Sequence, residues 1–475
     1  MKISGRRKQQ RGAALLIMML VVLVAATATL VTRLNANDTR IGQQTNTQAT
    51  LALARDALLN YARINPDMSL GEAAKLPCPD IDASGGLLEG VAHAADCGAQ
   101  GVSVLGRLPW RTLGITPPKD AAGACLWYVV SGSHKDANTT SAAMINDDTT
   151  GQLQLFGIES GQIIAGIQPD ERPVALLIAP MQPLQGQTRA APATDEQCSA
   201  NFTAGNFLDT DSGSGISNAS ISGTADVIDL FAIASGYSDT FNDRIIAVMP
   251  SDMAEVAADR HDFLTNMREL GLAATACIAD YANKNPGGVN DRRLPWPASM
   301  QLTDYRDATF YDDTNIGFLS GRLPDIVNDS NVQTGNSVAR VLSDCDTAAV
   351  PTWTPDLQAQ WQHWKDHFFY AVSESYAPSA VIPSSCGTCL TVNATGTYAA
   401  AVLFSAPRLA ALGQRRDAPP IDIDTRDDAA NYLESTNSGN IPYSSGSVDF
   451  TSQTADASFN DLLFCIDGAL AVTEC

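Results

Sequence analysis

The stretch ARDALLNYARINP at residues 54–66 returns in altered form as ATACIADYANKNP at residues 274–286 of this 475-residue chain. Both copies end in Tyr-Ala-x-x-Asn-Pro, and six more pairs of short motifs follow them in the same order. One such match would arise by chance, but seven in one order indicate that a single module has been duplicated. The later pairs are residues 76–79 and 294–297, 106–109 and 321–324, 126–133 and 368–375, 179–189 and 406–416, 206–209 and 431–434, and 241–243 and 459–461.

Each module is predicted to open with a helix and to continue with strands. In the second module Ser251 and Asp252 are suitable N-terminal caps for a helix that reaches about Lys284. Its apolar residues recur at helical spacing and predict a face packed on a sheet. Short runs rich in β-branched or aromatic residues predict antiparallel strands. The helical face comprises Val256, Phe263, Met267, Leu270, Ala274, Cys277 and Tyr281, and the runs are residues 126–130, 174–178, 245–248, 368–372 and 399–404.

The N-terminal segment predicts a membrane-spanning helix. Residues 1–12 carry five basic side chains and no acidic one, and residues 13–32 carry no charge. Twenty helical residues rise about 30 Å, the thickness of the hydrocarbon core of a bilayer. No proline follows until Pro66, so one helix of about fifty residues is expected, with its first half in lipid and its basic end in the cytoplasm. A secretory signal cleaved at the small residues 25–28 is the alternative.

The segment QRGAALLIMMLVVLVAA at residues 10–26 resembles the N-terminus of type IV pilins, minor pilins and type II secretion pseudopilins. The resemblance implies that a prepilin peptidase cuts between Gly12 and Ala13 and that Ala13 is then N-methylated. It implies other pilins or pseudopilins as partners of the N-terminal helix. It also implies a single-pass protein of the bacterial inner membrane whose exported modules lie in the periplasm, or at the cell surface in a filament.

One residue departs from the pattern of the major pilins. They usually carry Glu at the fifth mature position, where this chain has Ile17. In the family that carboxylate is thought to pair with the N-terminal amine of a neighbouring subunit, because an unpaired charge in lipid is costly. The K-type pseudopilin that caps the secretion pseudopilus lacks it too, as do some minor pilins. The resemblance therefore implies a tip or initiating position.

The expected fold is α+β: a leader (residues 1–12), the transmembrane half of the N-terminal helix (13–32), and two tandem pilin-like modules (33–250 and 251–475). The chain has 30 basic and 52 acidic residues, and removal of the leader leaves 25 basic residues and a formal charge of −27. Such a surface repels nucleic acid, which we therefore exclude as a partner. All ten cysteines lie beyond residue 77, which suits an oxidising periplasm.

Two cysteine pairs are disulfide candidates on spacing. Cys78 and Cys97 flank a Gly-containing loop of eighteen residues, whose closure would stabilise the fold by roughly 3 kcal/mol. Cys386 and Cys389 form a C-x-x-C motif between a Pro-Ser-Ser turn and a strand-like LTV, a setting that favours a small hairpin disulfide over a redox or zinc site. The other six cysteines have no assignable partners, because sequence alone does not give connectivity.

Motifs for catalysis or metal binding are weak. His363 and His367 would share a helical face beside Asp366, but the zinc-protease pattern needs Glu after the first His, and neighbouring aromatic residues favour a core or interface helix. The alternating carboxylates of Asp209 and Asp211, and those of residues 422–424, are typical of calcium loops but lack the bidentate Glu. We therefore predict no enzyme, no catalytic residue and no metal, with structural calcium as a weak alternative.

These observations predict a structural minor pilin or pseudopilin of a type IV pilus or type II secretion pseudopilus. Two alternatives stay open at this point. A membrane-anchored adhesin or binding protein outside any filament would keep Met1 and would not depend on the peptidase. An anchored hydrolase would lose turnover when His363 or His367 is substituted.

Overall fold

The computed structural model describes the chain from Gln10 to Cys475 with gaps. The residues outside the description are 1–9, 65–74, 82–87, 94–96, 100, 136–144, 147, 191, 193, 195–196, 199–200, 237, 254–262, 285–292, 316, 328–338, 379–387 and 417–424. In the first helix the side chains of residues 10–17, 21 and 24–41 are also outside it.

Each module begins with a long helix and continues mainly with strands, as predicted from the sequence. The helices are α1 (Gln10–Ile64), α2 (Phe263–Lys284), α3 (Pro355–Trp364) and α4 (Ser435–Gly439). The strands are β1 (Val104–Arg107), β2 (Trp127–Val130), β3 (Leu153–Gly157), β4 (Gln162–Ala165), β5 (Ala175–Ala179), β6 (Asp229–Ile233), β7 (Arg244–Val248), β8 (Ser320–Arg322), β9 (Ile326–Val327), β10 (Ala339–Arg340), β11 (Phe368–Val372), β12 (Leu390–Val392), β13 (Thr395–Phe404), β14 (Asp449–Phe450), β15 (Leu462–Asp467) and β16 (Val472–Glu474).

The first module contains two sheets. Strands β1, β2, β5 and β7 form an antiparallel sheet in that order, and β4, β3 and β6 form a second sheet in which β3 and β6 are parallel. Helix α1 packs on β5 and β7. The opposite face of the four-stranded sheet is covered by apolar residues of β3, β6 and Phe207. Because both faces are covered, β2 and β5 are buried at every position, as their continuous apolar sequences predict.

The second module repeats this arrangement. Strands β8, β11, β13 and β15 take the places of β1, β2, β5 and β7, while β12 pairs in parallel with β14 as β3 does with β6. The ten-residue strand β13 pairs with β12 through its first half and with β11 and β15 through its second half. The two sheets that stay separate in the first module are therefore joined into one sheet here, which β16 extends at its edge.

The repeated helix motif places equivalent residues against equivalent sheets. Ala54, Leu58 and Ala62 of α1 are buried on the first sheet, and their counterparts Ala274, Ile278 and Ala282 of α2 are buried in the core of the second. These positions recur every four residues and so lie on one face of each helix. The burial of all six explains why this part of the motif is shared.

The Gly-Arg-Leu-Pro motif is required by a close chain crossing. A side chain on Gly106 would lie 2.8 Å from the carbonyl oxygen of Asp80, and one on Gly321 would lie 2.2 Å from that of Ala298. In each module the next residue, arginine, pairs through its backbone with the strand segment that crosses there. Glycine is therefore the residue that permits both approaches.

The prediction that the N-terminal helix spans a membrane is wrong, and so is the inner-membrane localisation based on it. The long helix is present as α1, but in the part of the chain that the structure describes no helix combines the length and the apolarity that a bilayer crossing needs. Before Gly42, the apolar side chains of α1 that the structure describes are limited to residues 18–20 and 22–23. From Gly42 onward, polar residues alternate along the helix with residues that pack on the sheet.

The other predicted elements lie close to those observed. The five strand runs correspond to β2, β5, β7, β11 and β13, with β11 matching at both ends and β13 starting four residues earlier. Of the predicted helical face, Met267, Leu270, Ala274 and Cys277 are buried, and Phe263 and Tyr281 pack against the same core. Val256 lies within residues 254–262, outside the described residues. The predicted caps Ser251 and Asp252 are described and are already helical, in a stretch at residues 250–253.

Substitution of the buried repeat positions tests the packing. Leu58→Ala and Ile278→Ala should each lower the free energy of unfolding by about 2–5 kcal/mol, because each leaves a cavity in a closed core. Denaturant unfolding of the oxidised protein would measure this loss. Leu53→Ala on α1 is the matched control, since Leu53 is 55% exposed and should change stability by less than about 1 kcal/mol. Equal losses at Leu53 and Leu58 would contradict the observed orientation of α1.

Candidate assembly site and module junction

A buried arginine lies over the same pair of aromatic rings in each module. The guanidinium of Arg107 lies 5.8 Å from the ring centre of Trp127 and 5.2 Å from that of Phe207. The guanidinium of Arg322 lies 5.0 Å from Phe369 and 4.9 Å from Tyr432, which occupy the matching motif positions. Such contacts are more favourable when water is excluded. The repeat therefore preserves a cluster of one buried arginine and two aromatic rings in each module.

A second arginine in each module binds backbone carbonyls. Arg189 donates to the carbonyl oxygen of Phe207 at 2.9 Å and to Gln187 Oε1 at 2.7 Å. Arg416 donates to the carbonyl oxygen of Tyr432 at 3.3 Å and to Gln414 Oε1 at 3.3 Å. Each arginine therefore fastens its loop to the residue that ends a short 3-10 turn, Phe207 or Tyr432, which accounts for the shared Gln-x-Arg spacing.

Beside each of these arginines lies a pair of acidic side chains. Asp209 Oδ2 accepts from the backbone nitrogens of Asn242 at 2.6 Å and Asp243 at 3.1 Å, while the nitrogen of Asp209 donates to Asp243 Oδ2 at 2.8 Å. In the second module, Glu434 Oε2 accepts from the nitrogen of Asn460 at 3.1 Å, and the nitrogen of Glu434 donates to Asp461 Oδ2 at 3.1 Å. The shared Asn-Asp dipeptide thus positions a reciprocal acid pair.

In each module an asparagine outside the repeated motifs also binds the acid pair. Asn218 Nδ2 donates to Asp243 Oδ2 at 2.9 Å, and Asn437 Nδ2 donates to Asp461 Oδ2 at 2.9 Å. Each asparagine also exchanges two hydrogen bonds with one backbone position, Ala232 in the first module and Thr451 in the second. Asn218 lies in a turn and Asn437 in α4, and their neighbouring sequences differ, so alignment of short motifs gives no signal for them.

One carboxyl group of each acid pair has a raised pKa. Burial raises the pKa of Asp243 well above its usual value, and the carboxylate of Asp209 raises it further. Burial likewise raises the pKa of Asp461, with the charge of Glu434 adding to the effect. Both groups therefore release their protons less readily than an ordinary aspartate, because a charge in a dry core beside a second carboxylate is costly.

The two modules meet at a short segment of the first module that inserts against the second. The nitrogen of Ile145 donates to His363 Nδ1 at 3.2 Å. Asn146 Nδ2 donates to the carbonyl oxygen of His363 at 3.0 Å and to Asp366 Oδ1 at 2.8 Å. A further ion pair joins Arg306 to Asp226 at 3.1 Å. His363 thus lies at an interface, as the surrounding aromatic residues predict.

The carboxylate of Asp148 is the central charge of this junction. Its Oδ2 lies 3.0 Å from His367 Nε2 and 3.6 Å from Arg416 Nη1, and its Oδ1 lies 3.4 Å from Arg408 Nε. His367 Nδ1 lies 2.8 Å from the carbonyl oxygen of Ser405, so both ring nitrogens of His367 face oxygen atoms. Burial alone would raise the pKa of Asp148, but Arg416 and His367 outweigh burial and hold this pKa below its usual value.

Asp148, Asp366 and His367 also have the spacing of metal ligands. The site's charges fit an ion-pair network better than a cation. Arg408 and Arg416 already compensate Asp148, and Arg426 Nη1 lies 3.1 Å from Asp366 Oδ2. A metal would face the guanidinium groups of Arg408, Arg416 and Arg426. His363 and His367 bind different partners and form no joint site.

The predicted disulfide between Cys78 and Cys97 is present. The six cysteines without assigned partners form bonds between Cys125 and Cys198, Cys277 and Cys345, and Cys465 and Cys475. Cys389 is disulfide-bonded, while its predicted partner Cys386 lies outside the described residues.

Lys135 donates to the carbonyl oxygens of Ala99 at 2.6 Å and Val102 at 2.8 Å, and so fastens the loop that follows the bond between Cys78 and Cys97.

The carboxylates of the first candidate calcium loop form hydrogen bonds within the protein. Asp209 points into the acid pair described above, and Asp211 Oδ2 accepts from the nitrogen of Ser214 at 2.8 Å within its own turn. The second loop, with Asp422 and Asp424, lies outside the described residues. Structural calcium stays an untested prediction.

The proposed cleavage position falls within α1. Gly12 and Ala13 belong to the helix, but their side chains lie outside the description. Further along, Met18, Met19, Leu20, Val22 and Leu23 are 61–70% exposed. Side chains buried on the sheet begin, among the described residues, at Thr47. The described start of α1 is thus an uncovered apolar helix surface.

No protein-family model, curated protein or solved structure matches this chain.

Asp148→Asn tests the junction. Breaking a buried ion pair on one side typically costs about 3–5 kcal/mol, because the cations left behind are uncompensated. We expect a loss of this size at pH 7 in denaturant unfolding. Because the folded-state pKa is depressed, the stability that Asp148 provides is present above pH ~4 and is lost as pH falls below it, so the difference should shrink in acid. Asp239→Asn, on an exposed loop, is the control; a pH-independent difference would contradict the ion-pair reading.

Asp243→Asn tests the acid pair and should behave in the opposite way. Because the folded-state pKa is raised, wild-type stability declines as pH rises from about 4 toward that pKa, and an amide removes this slope. Unfolding measured from pH 5 to pH 9 should show a flatter curve for Asp243→Asn, with stability equal to or above wild type at the alkaline end. Parallel curves for the two proteins would contradict a raised pKa at Asp243.

Proposed function

We propose that this protein is a non-enzymatic structural subunit of a pilin-type filament, either a type IV pilus or a type II secretion pseudopilus. A prepilin peptidase removes its first twelve residues, and helix α1 then packs beside the corresponding helices of other pilin-type subunits. The proposal depends on the resemblance of residues 10–26 to prepilins and on the shape of α1.

The geometry of α1 is the observation that supports assembly most strongly. A helix of 55 residues is about 80 Å long. Its described contacts with its own sheet are made by the C-terminal part, from Thr47 onward, while Met18 to Leu23 expose large apolar side chains. Contiguous exposed apolar surface marks an interaction site. A projecting helix of this kind needs lateral partners, and similar helices would supply them.

The double module supports a position at the end of the filament. The junction around Asp148 fixes one bulky module against the other, so each subunit would carry both at the same side of its stem. A thin helical fibre has little room to repeat such a head at every position. The absence of a carboxylate at Ile17 agrees with a subunit that caps or initiates assembly and meets no subunit ahead of it.

Mass spectrometry of the protein from cells with and without prepilin peptidase tests the processing step. With the peptidase we expect a mature N-terminus at a methylated Ala13, and without it we expect Met1 to be retained. Gly12→Leu should give the unprocessed form in both strains, because the residue before the cut is altered. An N-terminus other than Ala13, or retention of Met1 in peptidase-positive cells, would favour a binding protein that never enters a filament.

Charge placed on the uncovered part of α1 tests the assembly step. Leu20→Lys with Leu23→Lys should abolish co-purification with filament material, because a charge between packed apolar helices is left without a partner. Ile164→Lys is a suitable control, since Ile164 is 54% exposed on β4 and far from α1 in the chain. Unchanged co-purification of the double variant would contradict assembly through α1.

A further inference from the structure

A groove runs along the C-terminal half of α1 on the side next to its sheet-packed face. Its volume is about 780 Å³, and its opposite wall is the loop of Thr112, Leu113 and Ile115. The helix contributes apolar side chains around Leu53 and Ala57, and one charge, Asp56. Leu53 is 55% exposed there. The groove is thus an apolar trough with a single acidic group.

The duplicated module shows what covers this helix face. Ala273 and Cys277 of α2 occupy the positions of Leu53 and Ala57. Ala273 is buried where Leu53 is exposed, while Ala57 and Cys277 are buried in both modules. The cover comes from the segment that ends in α3: Cys277 is disulfide-bonded to Cys345, and Trp364 stacks on Phe263 at 5.2 Å. The same apolar cluster includes Leu342, Val350, Trp353, Leu357 and Trp361.

The sequence explains why the first module lacks this cover. Only 16 residues separate Pro109 from Leu126, whereas 43 residues separate the matching Pro324 from Phe368. The longer connection supplies α3 and its aromatic residues. The shorter connection supplies the wall at 112–115 and contains no helix corresponding to α3. Two modules of one architecture thus differ in whether they carry the helix that closes this face.

We propose that the groove binds an amphipathic helix of a different protein chain, seated on α1 as α3 is seated on α2. The bound helix would direct large aromatic or aliphatic side chains at Leu53 and Ala57 and a Lys or Arg at Asp56. Asp56 is exposed in the groove and has no ion pair with any described residue. The inference goes beyond assembly through the projecting part of α1 and does not require cleavage of the leader.

Charge favours a different chain over a second copy. The protein carries a formal charge of −22, so two copies repel one another at close approach. A basic amphipathic helix is attracted to the same surface and satisfies Asp56. Its apolar ridge would remove Leu53 from water, as packing in the core of the second module removes Ala273.

Site-specific cross-linking tests the proposal in the cells that make the protein. Benzoylphenylalanine is placed at Leu53, and in a control protein at Ile164, which is equally exposed outside the groove. We expect a cross-link at Leu53 only, and its mapped peptide should come from another chain and have a basic, aromatic amphipathic pattern. A peptide of this chain at that position, equal yields at both positions, or no cross-link would overturn the proposal.

Binding of the mapped sequence then separates specific docking from incidental capture. The synthetic peptide should bind the purified full-length, oxidised protein, and Leu53→Arg should weaken binding about tenfold or more, as expected for a central contact. Asp56→Lys should weaken it as well, and a Glu in place of the basic residue of the peptide should restore binding to that variant. Ile164→Arg should leave affinity unchanged. Affinity that is insensitive to Leu53→Arg would overturn the proposal even after a positive cross-link, and either outcome leaves the processing test at Ala13 unaffected.

Discussion

The ionised carboxylate of Asp148, buried between two modules, is the interaction on which the relative arrangement of the modules depends. A charge in a dry interior is tolerated only with counter-charges in good geometry. Here the counter-charges come from two separate parts of the second module: His367 before β11, and Arg408 and Arg416 in the loop after β13. Arg416 also fastens that loop to Tyr432, so the group that neutralises Asp148 belongs to the repeated core of its own module. Docking of one module is therefore coupled to the internal packing of the other.

The two modules show which parts of the architecture resist change. Each keeps an arginine over two rings, an arginine on backbone carbonyls and an acid pair with an asparagine, and all of these side chains are buried except Arg189, which is partly exposed. Loss of one member leaves its partners unsatisfied in the core, which costs more than the bond itself contributes. The faces away from this polar core have diverged. A 43-residue connection covers α2, a 16-residue connection leaves α1 open, and a continuous β13 replaces the separate strands β4 and β5.

Local patterns in the sequence predicted the secondary-structure elements well, but they did not predict the tertiary contacts between them. Apolar runs such as residues 368–372 gave β11 with correct ends, because a strand buried on both faces leaves a continuous signal. The spacing of Cys78 and Cys97 predicted their bond because the loop between them is short. Asp148 gave no signal, since its partners lie more than 200 residues away and nothing beside it in sequence is unusual. The prediction that residues 13–32 span a membrane was wrong, since no helix among the described residues has the length and apolarity that a crossing needs.

Covalent and electrostatic constraints divide the molecule in different ways. The bonds from Cys78 to Cys97 and from Cys125 to Cys198 lie within the first module, and those from Cys277 to Cys345 and from Cys465 to Cys475 lie within the second. An oxidising environment therefore stabilises each module separately. Among the described residues the contacts that join the modules are hydrogen bonds and ion pairs, those of Asp148 above all. Reduction should weaken each module from within, whereas acid should first release one module from the other, because protonation of Asp148 removes the attraction that offsets the burial of His367 and Arg416.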